Sequence, residues 1–417
     1  MPTLELAYGR RTVTISVPSK HLDGVLEGKP MPRIPLRRAF DGAWSDPIGI
    51  GDPSELLRPG ESVVVVITDH TRPTPTREIF PLLWEKIRAT VAVDDLTLLV
   101  ATGTHRAPTD EELEAMLGDL RREFRVLIHN CDEDVVEVGT SSLGMSITVN
   151  RALIEADRIV SIGHIGMHYY AGYSGGRKNI VPGVAGRATI EANHARMTDP
   201  RSTACVYSGN PINEEMVEAA RMVGVDFIVD VVLASDGMVA KVVVGEPEAA
   251  HAVGRAFWDE HFQVPICQPY DVVIASPGGH PKDINLYQAY KGQYNAMKAV
   301  RDGGMLFLVA ACPNGIGHPV FAEWIERSGS PEGVFTIYEK EGFRLGGHKA
   351  VYHAGDLKRA SIYLRSELDE ATVRRFYMEP AIDAAVVLDD ARTRFGNDYR
   401  VLVIPHANDT FPVCSET

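Results

Sequence analysis

Residues 172–184, GYSGGRKNIVPGV, place an arginine and a lysine directly after three small residues. The small residues are Ser174, Gly175 and Gly176. Small residues allow a backbone to approach a ligand closely. The Lys178 amine stands beside the cation Arg177, and a neighbouring positive charge lowers the pKa of an amine. An amine with a lowered pKa is a nucleophile, so the stretch indicates covalent chemistry at Lys178. A turn that binds an anion without forming a bond is the alternative.

The stretch does not match the common phosphate-binding motifs. A Walker A loop has the pattern GxxxxGK[ST], but here Arg177 precedes Lys178 and Asn179 follows it. The chain also has no GxGxxG turn of the kind that binds dinucleotides. A nicotinamide-dependent 2-hydroxy acid dehydrogenase is an alternative, although the chain lacks the sequence signature that is usual for such an enzyme.

Polar side chains also follow four predicted strands, at the points where the strands end. They are Asp69, His70, Thr71 and Arg72 after VVVVIT, Thr104 and His105 after LLVATG, His164 and His168 after RIVSI, and His280, Lys282 and Asp283 after VVIASPGG. In open α/β sheets, ligands bind outside the carboxyl ends of the strands. The four strand ends therefore predict one shared cleft.

Arg72 and His105 are the clearest candidates within this set. Pro73 fixes the backbone directly after Arg72, and a planar guanidinium binds a carboxylate or a phosphate through paired hydrogen bonds. His105 lies between a strand end and a helix start, and histidine is the side chain best suited to moving protons near neutral pH. A purely structural hydrogen bond is the alternative role for this histidine.

Three histidines near Lys178 in the sequence suggest a metal site. His164, His168 and His194 have imidazoles that suit nickel, zinc, copper or iron. Their spacing matches no standard zinc motif such as HExxH. A metal-dependent hydrolase that uses this histidine cluster is therefore a further alternative.

The second half of the chain offers a polar helix face. Gly278 and Gly279 precede a predicted helix with Asp283 as its N-cap and an end near residue 300. The side chains Tyr287, Gln288 and Lys291 fall one turn apart on that helix. A phenol, an amide and an ammonium suit a small carboxylate or hydroxyl compound, whereas a solvated helix face is the alternative. Residues 346–356, GGHKAVYHAGD, receive no assigned role.

Short β-branched runs alternate with helix-like segments along the chain, which predicts an α/β fold with mostly parallel sheets. The start of the chain predicts a strand pair that turns near Gly9, and Thr109 with Glu112 forms a predicted capping box. We place a domain boundary near residues 265–270. This gives an N-terminal α/β domain of residues 1–267 and a C-terminal α/β domain of residues 268–417, with the last few dozen residues able to pack back on the first.

Composition limits the classes of partner. The 417 residues are 45% apolar and 24% charged, as in ordinary globular proteins, and five cysteines without a CxxC pair indicate reduced thiols. The formal charge of −14 argues against nucleic-acid and anionic-membrane partners. The start has no apolar signal-peptide segment, and no apolar run reaches the ~20 residues of a membrane span. We therefore expect a cytoplasmic protein.

Taken together, these residues resemble the lactate racemase family, the nickel-pincer nucleotide enzymes. The matching stretches are DHTRPTP (69–75), GTHR (103–106), HYYAGYSGGRKNIVPG (168–183), TIEANH (189–194) and SPGGHPKDINLYQAYK (276–291). They span most of the chain in the order and spacing of the family.

The resemblance implies two α/β domains with the active site in the cleft between them. It implies a cofactor, nickel pyridinium-3,5-bisthiocarboxylic acid mononucleotide, attached covalently to Lys178. His194 would complete the nickel coordination, and His105 and His168 would be the catalytic acid–base pair. The residues assigned to the substrate site are Asp69, Arg72, Tyr287, Gln288 and Lys291. The residues assigned to the cofactor beside Lys178 are Ser174, Gly175, Gly176 and Arg177, the last of which is assigned to the phosphate from charge alone.

The implied activity is racemisation or epimerisation of a 2-hydroxy acid. Hydride would leave the carbinol carbon while a histidine takes the hydroxyl proton, and the flat 2-oxo acid would accept hydride on its other face. The implied partners are a small 2-hydroxy acid and the proteins that build the cofactor, and a homo-oligomer is compatible with the sequence. A protein that only stores the cofactor is a last alternative, because it would need Lys178 and His194 but not the two catalytic histidines.

Overall fold

The computed structural model describes residues 2–414. The strands, numbered in chain order, are β1 (Thr3–Tyr8), β2 (Arg11–Ser16), β3 (Leu22–Val25), β4 (Val63–Thr68), β5 (Leu96–Ala101), β6 (Arg125–Ile128), β7 (Val135–Thr140), β8 (Ser146–Asn150), β9 (Arg158–Ile165), β10 (Met167–His168), β11 (Gly172–Tyr173), β12 (Phe227–Leu233), β13 (Val239–Gly245), β14 (Gln263–Ile266), β15 (Tyr270–Ala275), β16 (Val300–Val309), β17 (Ser361–Arg365), β18 (Glu379–Pro380), β19 (Val401–Ile404) and β20 (Phe411–Cys414). The α-helices are α1 (Leu36–Ser45), α2 (Thr76–Ile87), α3 (Asp110–Leu117), α4 (Leu120–Glu123), α5 (Arg151–Glu155), α6 (Arg187–Ala195), α7 (Pro211–Val223), α8 (Pro247–Phe262), α9 (Leu286–Ala296), α10 (Pro319–Ser328), α11 (Pro331–Glu341), α12 (Gly347–Arg359), α13 (Glu370–Arg375) and α14 (Ala384–Phe395). Short 3₁₀ helices cover Pro53–Leu56, Val93–Asp95, Gly176–Asn179, Arg196–Thr198 and Ala407–Asp409.

The chain divides into two compact units. Residues Met31–Asp259 form one unit, which we call the middle unit. Residues Met1–Pro30 and Glu260–Thr417 form the other, which we call the terminal unit. Each unit contains its own six-stranded sheet, so the predicted α/β fold with mostly parallel sheets is confirmed.

The sheet of the middle unit has the strand order β13-β12-β9-β4-β5-β6. All its neighbours are parallel except β13, which runs antiparallel to β12 at one edge. Every residue of β4, VVVVIT, is buried, as expected for a central strand with both faces covered. From β4 the strand order runs to β5 and β6 on one side and to β9 and β12 on the other. The point between β4 and β9 is therefore a topological switch point, where α/β sheets bind ligands.

The sheet of the terminal unit repeats this arrangement with the order β18-β17-β16-β15-β19-β3, and all its strands are parallel. From β15 the order runs to β16, β17 and β18 on one side and to β19 and β3 on the other. A second switch point therefore lies between β15 and β19. The segments that follow these two strands, from residues 276 and 405, are the expected ligand-binding segments of this unit.

The division of the chain differs from the predicted domains 1–267 and 268–417. Strand β3 pairs with β19, and the β1–β2 pair contributes Leu6 and Ile15 to the core that contains Val272 and Val403. The first 30 residues therefore belong with the second half of the chain. The last strands do pair with residues of the predicted first domain, β19 with β3 and β20 with β14, but all four of these strands belong to the terminal unit. Pairing between strands nearly 380 residues apart leaves no trace in a local sequence pattern.

The sequence analysis made three local predictions of turns and helix caps, and two of them are confirmed. Strands β1 and β2 pair around Gly9, which has a φ of +57°. Thr109 and Glu112 form the predicted capping box of α3. The predicted N-cap Asp283 is wrong, because the N-cap of α9 is Asn285 and the helix ends at Ala296. The Asp283 carboxylate is fully buried and accepts hydrogen bonds from the backbone amides of Gly9 and Ala311 instead.

Between residues 2 and 414, none of the helices combines the length and the apolar composition that crossing a bilayer requires.

Candidate active site

The switch point of the middle unit carries a carboxylate–histidine pair. Asp69 follows β4 and is buried, and its carboxylate accepts hydrogen bonds from Thr71 Oγ1 at 2.7 Å and from His105 Nδ1 at 2.7 Å. Burial favours the neutral acid, but the hydrogen bonds from His105 and Thr71 outweigh it and hold the pKa of Asp69 below its usual value. Because an ionised carboxylate only accepts hydrogen bonds, the proton of a neutral His105 is on Nδ1. Its Nε2 is then the basic nitrogen, as a general base requires.

Lys178 lies in the 3₁₀ helix Gly176–Asn179 and is 9% exposed. Burial lowers the pKa of its amine well below the usual value, and the charges of Arg72 and Arg177 lower it further. Within residues 2–414, no carboxylate forms an ion pair with this lysine. The sequence analysis attributed the lowered pKa of Lys178 to the charge of Arg177, but burial is the larger cause. Burial of this kind favours the neutral amine, which is the nucleophilic form of a lysine.

Arg72 connects these two features. Its side chain is exposed, and its positive charge contributes to the lowered pKa of both Asp69 and Lys178. The predicted arginine, acid and lysine therefore lie close together in the middle unit. An exposed guanidinium beside a buried amine suits an anionic group of a ligand.

The lysine-bearing loop rests on a buried aspartate. The backbone amide of Gly176 donates to Asp230 Oδ2 at 2.7 Å, and Gly175 adopts a φ of +83°. A Cβ atom at residue 175 would lie 2.5 Å from Asp230 Oδ2, so only glycine fits there. Ser174 Oγ donates to the carbonyl of His164 at 2.9 Å. The small residues thus have a packing role in the loop, in addition to the predicted contact with a nucleotide.

Arg177 does not have the free guanidinium that a phosphate contact requires. It is 5% exposed, and its nitrogens donate to Asn213 Oδ1 at 2.7 Å and to three backbone carbonyls at 3.0–3.1 Å. The carbonyls are those of Ala171, Tyr173 and Gly175. Its Nη1 also contacts His251 Nε2 at 3.0 Å. The assignment of Arg177 to the phosphate, made from charge alone, is therefore wrong; Arg177 holds the loop.

Asp230 gives the loop a pH-dependent stability. Burial raises the pKa of its carboxyl from 3.8 to about 7, although the Gly176 amide and Arg177 oppose the change. The protonated form is favoured in the folded state, so this stabilisation is complete below pH ~4 and is lost as the pH rises to about 7. We expect the free energy of unfolding of the wild type to fall across this interval by up to about 1.4 kcal/mol per pH unit relative to Asp230→Asn.

Urea unfolding of the two proteins at pH 4.5, 6 and 7.5 measures this difference. Asp94→Asn, which changes an exposed aspartate of the same unit, is the matched control and should follow the wild type. Equal pH dependence for the wild type and Asp230→Asn would show that Asp230 does not titrate in this way.

Two of the predicted histidines flank one tyrosine. The ring of Tyr170 makes edge contacts with His168, at 4.5 Å between centroids, and with His194, at 5.0 Å. His168 lies in the short strand β10, and His194 is buried near the end of α6. The predicted catalytic and metal-binding histidines are therefore near neighbours.

The three histidines do not form a metal site by themselves. His164 Nδ1 lies 3.1 Å from Thr74 Oγ1, a contact that joins the end of strand β9 to the segment after β4. Across the described part of the chain, no group of three or more His, Cys, Asp or Glu side chains could hold a metal ion. The histidine cluster of the alternative hydrolase is therefore not formed. A single imidazole such as His194 suits a metal whose other ligands come from an organic group.

The predicted residues of the terminal unit lie on α9, beside its switch point. Lys291 is half-buried. Burial lowers the pKa of its amine. The charge of Asp409 opposes this change, whereas the charge of Lys282 adds to it. Asp409 follows β19 and forms an ion pair with Lys282. The Tyr287 ring stacks on His318 at 4.8 Å between centroids, whereas Gln288 is exposed. Three of the four polar strand ends, those of β4, β5 and β9, belong to the sheet of the middle unit. The fourth, with His280, Lys282 and Asp283, follows β15 in the sheet of the terminal unit.

His70 and His280, which have no assigned role, contact residues other than the predicted site residues. His70 Nε2 lies 3.6 Å from a carboxylate oxygen of Glu112. His280 Nε2 lies 2.9 Å from Arg10 Nη2 at the surface.

Two residues that contact Tyr287, Lys349 and His318, were not assigned a role from the sequence. Lys349 is buried, and its Nζ donates to the carbonyl of Tyr287 at 2.5 Å. The only available signal was a lysine inside the unassigned stretch 346–356. Its neighbourhood depends on how α12 packs against α9, which a single sequence does not reveal.

The chain matches known proteins along nearly its whole length. A sequence model of the lactate racemase N-terminal domain matches residues 8–205, and one of the lactate racemase C-terminal domain matches residues 266–409. A lactate racemase from Thermoanaerobacterium thermosaccharolyticum is 32% identical over 418 residues, which cover 97% of this chain and 98% of the relative. A lactate racemase from Lactiplantibacillus plantarum is 30% identical over 423 residues, with the same coverage.

Solved structures agree with these matches. The lactate racemase apoprotein from Thermoanaerobacterium thermosaccharolyticum has a TM-score of 0.90 at 31% identity, with 100% of both chains covered. A crystal structure of a Thermotoga maritima protein has a TM-score of 0.62 at 20% identity and covers 94% of this chain and 100% of that one, so it shares the fold.

The fold and these matches identify the chain as an isomerase of the racemase class. The chain belongs to the lactate racemase family.

Proposed function

We propose that this protein inverts the carbinol carbon of a 2-hydroxy acid by reversible hydride transfer, through a 2-oxo acid, with a nickel-pincer nucleotide attached to Lys178. The observation that supports this most directly is the buried amine of Lys178, whose pKa is well below its usual value, close to the Asp69–His105 pair. A structural lysine would instead be expected at the surface or in an ion pair.

The residues present fit the proposed cofactor. The amine of Lys178, whose pKa burial lowers, would have the chemistry needed to bond to a thiocarboxyl carbon as a thioamide. The buried imidazole of His194 is a suitable ligand for nickel. When bound, the cofactor supplies an electrophilic acceptor that takes hydride from the substrate and returns it.

The chain's own residues supply the proton chemistry. His105 Nε2 takes the proton of the substrate hydroxyl as the carbinol C–H bond breaks, which leaves a carbonyl group. The Asp69 carboxylate, 2.7 Å from Nδ1, stabilises the imidazolium that forms. His168 is assigned to the same task for the opposite enantiomer. A hydroxyl proton leaves more readily than a carbinol C–H proton, and for this reason the base acts on oxygen.

The cations hold the substrate. Arg72 is exposed beside Asp69 and Lys178, and Lys291 is a half-buried ammonium in the terminal unit. Both are assigned to the substrate carboxylate, with Tyr287 and Gln288 beside it. Retaining the carboxylate throughout keeps the 2-oxo acid bound until hydride returns. Because the named relatives are lactate racemases, lactate is the first substrate to test.

Maturation would depend on other proteins. We infer that the enzymes that build the nucleotide and insert nickel are partners of this chain, since the proposed cofactor is not part of the polypeptide and has to be supplied to it.

A deuterium label tests the reaction. Protein produced together with the cofactor-building enzymes is given single enantiomers of [2-²H]lactate, without added NAD. We expect racemisation in which the product keeps its deuterium at C2, because the transferred hydride does not exchange with water, and a slower rate than with unlabelled lactate.

Three results would oppose the proposal. Loss of the label to solvent would indicate proton abstraction at carbon. A requirement for NAD would indicate the dehydrogenase. Absence of inversion for lactate and for a panel of other 2-hydroxy acids and aldonates would exclude the proposed activity.

A further inference from the structure

The start of helix α7 carries three buried polar side chains. Asn210, Asn213 and Glu215 are 0%, 1% and 0% exposed, respectively. Asn210 is the N-cap of the helix, and its Nδ2 donates to the carbonyl of Tyr170 at 2.8 Å. Buried polar groups in folded proteins are nearly always hydrogen-bonded. The partners of the other two side chains therefore show which segments this helix holds in place.

Asn213 holds the loop that carries Lys178. Its Oδ1 accepts a hydrogen bond from Arg177 Nε at 2.7 Å, and its Nδ2 donates to the carbonyl of Tyr207 at 2.9 Å. Arg177 directly precedes Lys178 in the same 3₁₀ helix. A hydrogen bond from a guanidinium is stronger than one between neutral groups. Asn213 therefore fixes the backbone next to the lysine.

Glu215 holds the end of α6, next to His194. Its carboxylate accepts two hydrogen bonds from Arg196, at 2.9 Å from Nε and at 3.0 Å from Nη2. It also accepts one from Asn193 Nδ2 at 3.2 Å and one from Ser141 Oγ at 2.9 Å. Paired hydrogen bonds between an arginine and a carboxylate fix orientation as well as distance. Because Asn193 and Arg196 lie on either side of His194 in the sequence, this carboxylate fixes the backbone that carries the imidazole.

One short stretch of helix thus connects two parts of the predicted cofactor site. Asn213 and Glu215 are two positions apart on α7, and residues at this spacing do not share a helix face. One side chain therefore reaches the loop with Lys178, and the other reaches α6 with His194. A cofactor that bonds to the lysine and is ligated by the histidine requires these two residues to be held in position before it binds.

We propose that Asn213 and Glu215 are positioning residues for the cofactor, with Asn213 acting on Lys178 and Glu215 acting on His194. The roles of the lysine and the histidine in holding a cofactor rest on the proposed function. The hydrogen bonds that join α7 to the loop and to α6 do not depend on it.

Glu215→Gln tests the contact with α6. A glutamine has a single side-chain oxygen, which cannot accept the four hydrogen bonds of the carboxylate. We expect the covalent adduct on Lys178 to form as in the wild type. The affinity of the adduct for nickel should fall about tenfold to a hundredfold, as is usual when a metal ligand loses the residues that orient it. Intact mass measures the adduct, and metal analysis after incubation with graded EDTA measures the nickel per adduct.

Asn213→Ala tests the contact with the lysine-bearing loop. It removes the acceptor of Arg177 Nε, so the backbone beside Lys178 is held less firmly. We expect the initial rate of adduct formation, followed by intact mass during maturation, to fall about tenfold, as for the loss of a hydrogen bond to a charged group. The nickel affinity of the adduct that forms should stay at the wild-type value. Glu214→Gln, at an exposed position of the same helix, should change neither property.

The opposite responses of the two variants distinguish positioning from a general loss of stability. If both variants lose adduct and nickel in equal proportion, or if neither property changes, the two residues only stabilise the core and the proposal is overturned. Arg196→Lys is the second variant in case Glu215→Gln does not fold, because it keeps a cation at a less buried position but not the paired hydrogen bonds. The same loss of nickel affinity is expected from it, and a wild-type affinity would overturn the proposal.

Amide hydrogen exchange separates this inference from the proposed function, because it needs no cofactor. Glu215→Gln should speed exchange in residues 193–196, and Asn213→Ala should do so in residues 176–179, each without changing the other segment. This pattern, in a protein whose wild type acquires no adduct on Lys178, would sustain the positioning by α7 and overturn the proposed reaction. Adduct formation and racemisation by the wild type, with exchange and nickel affinity unaffected by both substitutions, would do the reverse.

Discussion

Replacing Lys178 by alanine is expected to abolish racemisation and to leave the protein without a covalently attached cofactor. The amine is buried and its pKa is lowered well below the usual value, which makes it a suitable nucleophile. No other side chain can replace a covalent bond, and activity should therefore fall to the background of the assay. Chiral chromatography of the product and the intact mass of the protein measure the two effects.

A second variant distinguishes attachment from charge. Lys178→Arg places a permanent positive charge at this position, because a guanidinium stays protonated at neutral pH, and it does not form the bond. We expect it to be as inactive as Lys178→Ala. Lys86→Ala changes a lysine of α2 in the same unit and should keep full activity and the full adduct. Racemisation by Lys178→Arg would mean that the lysine acts through its charge.

Removing the imidazole of His105 is expected to lower kcat by about 10²- to 10⁴-fold, the usual contribution of a general base. The cofactor adduct should remain in His105→Ala, because Lys178 and His194 are unchanged. Asp69→Asn should cause a loss of similar order, since an amide in place of the carboxylate no longer fixes the Nδ1 proton or stabilises the imidazolium. Steady-state kinetics together with intact mass would separate these effects from loss of the cofactor.

The neighbouring His70 provides the matched control. It follows Asp69 directly, but its Nε2 faces Glu112 at 3.6 Å. His70→Ala should therefore change kcat only slightly. The assignment of the base would be contradicted if His70→Ala were as inactive as His105→Ala, or if His105→Ala retained wild-type turnover.

The middle unit shows how far sequence reasoning reaches. The buried strand β4, the capping box of α3 and the polar residues after β4 and β5 were all predicted from local patterns. Strand order was not, because it depends on which distant strands pair. Once β4 is known to lie between β5 and β9, the meeting of Asp69, His105 and Lys178 follows from the position of the switch point.

The errors have the same origin. Arg177 looked like a phosphate ligand because the sequence shows its charge but not the carbonyl groups that surround it. Asp283 looked like a helix cap because its amide partners, Gly9 and Ala311, lie in other parts of the chain. Lys349 was missed because its environment is set by the packing of α12 on α9. In each case a long-range contact decided the role of the side chain.

Peptide mapping of active wild-type protein by mass spectrometry tests the central claim most directly. The protein would be produced with the cofactor-building enzymes, assayed for inversion of lactate and digested. We predict a mass increase equal to the bound nucleotide on the peptide that contains Lys178, in an amount that parallels the specific activity. Fully active protein in which Lys178 is unmodified would contradict the account.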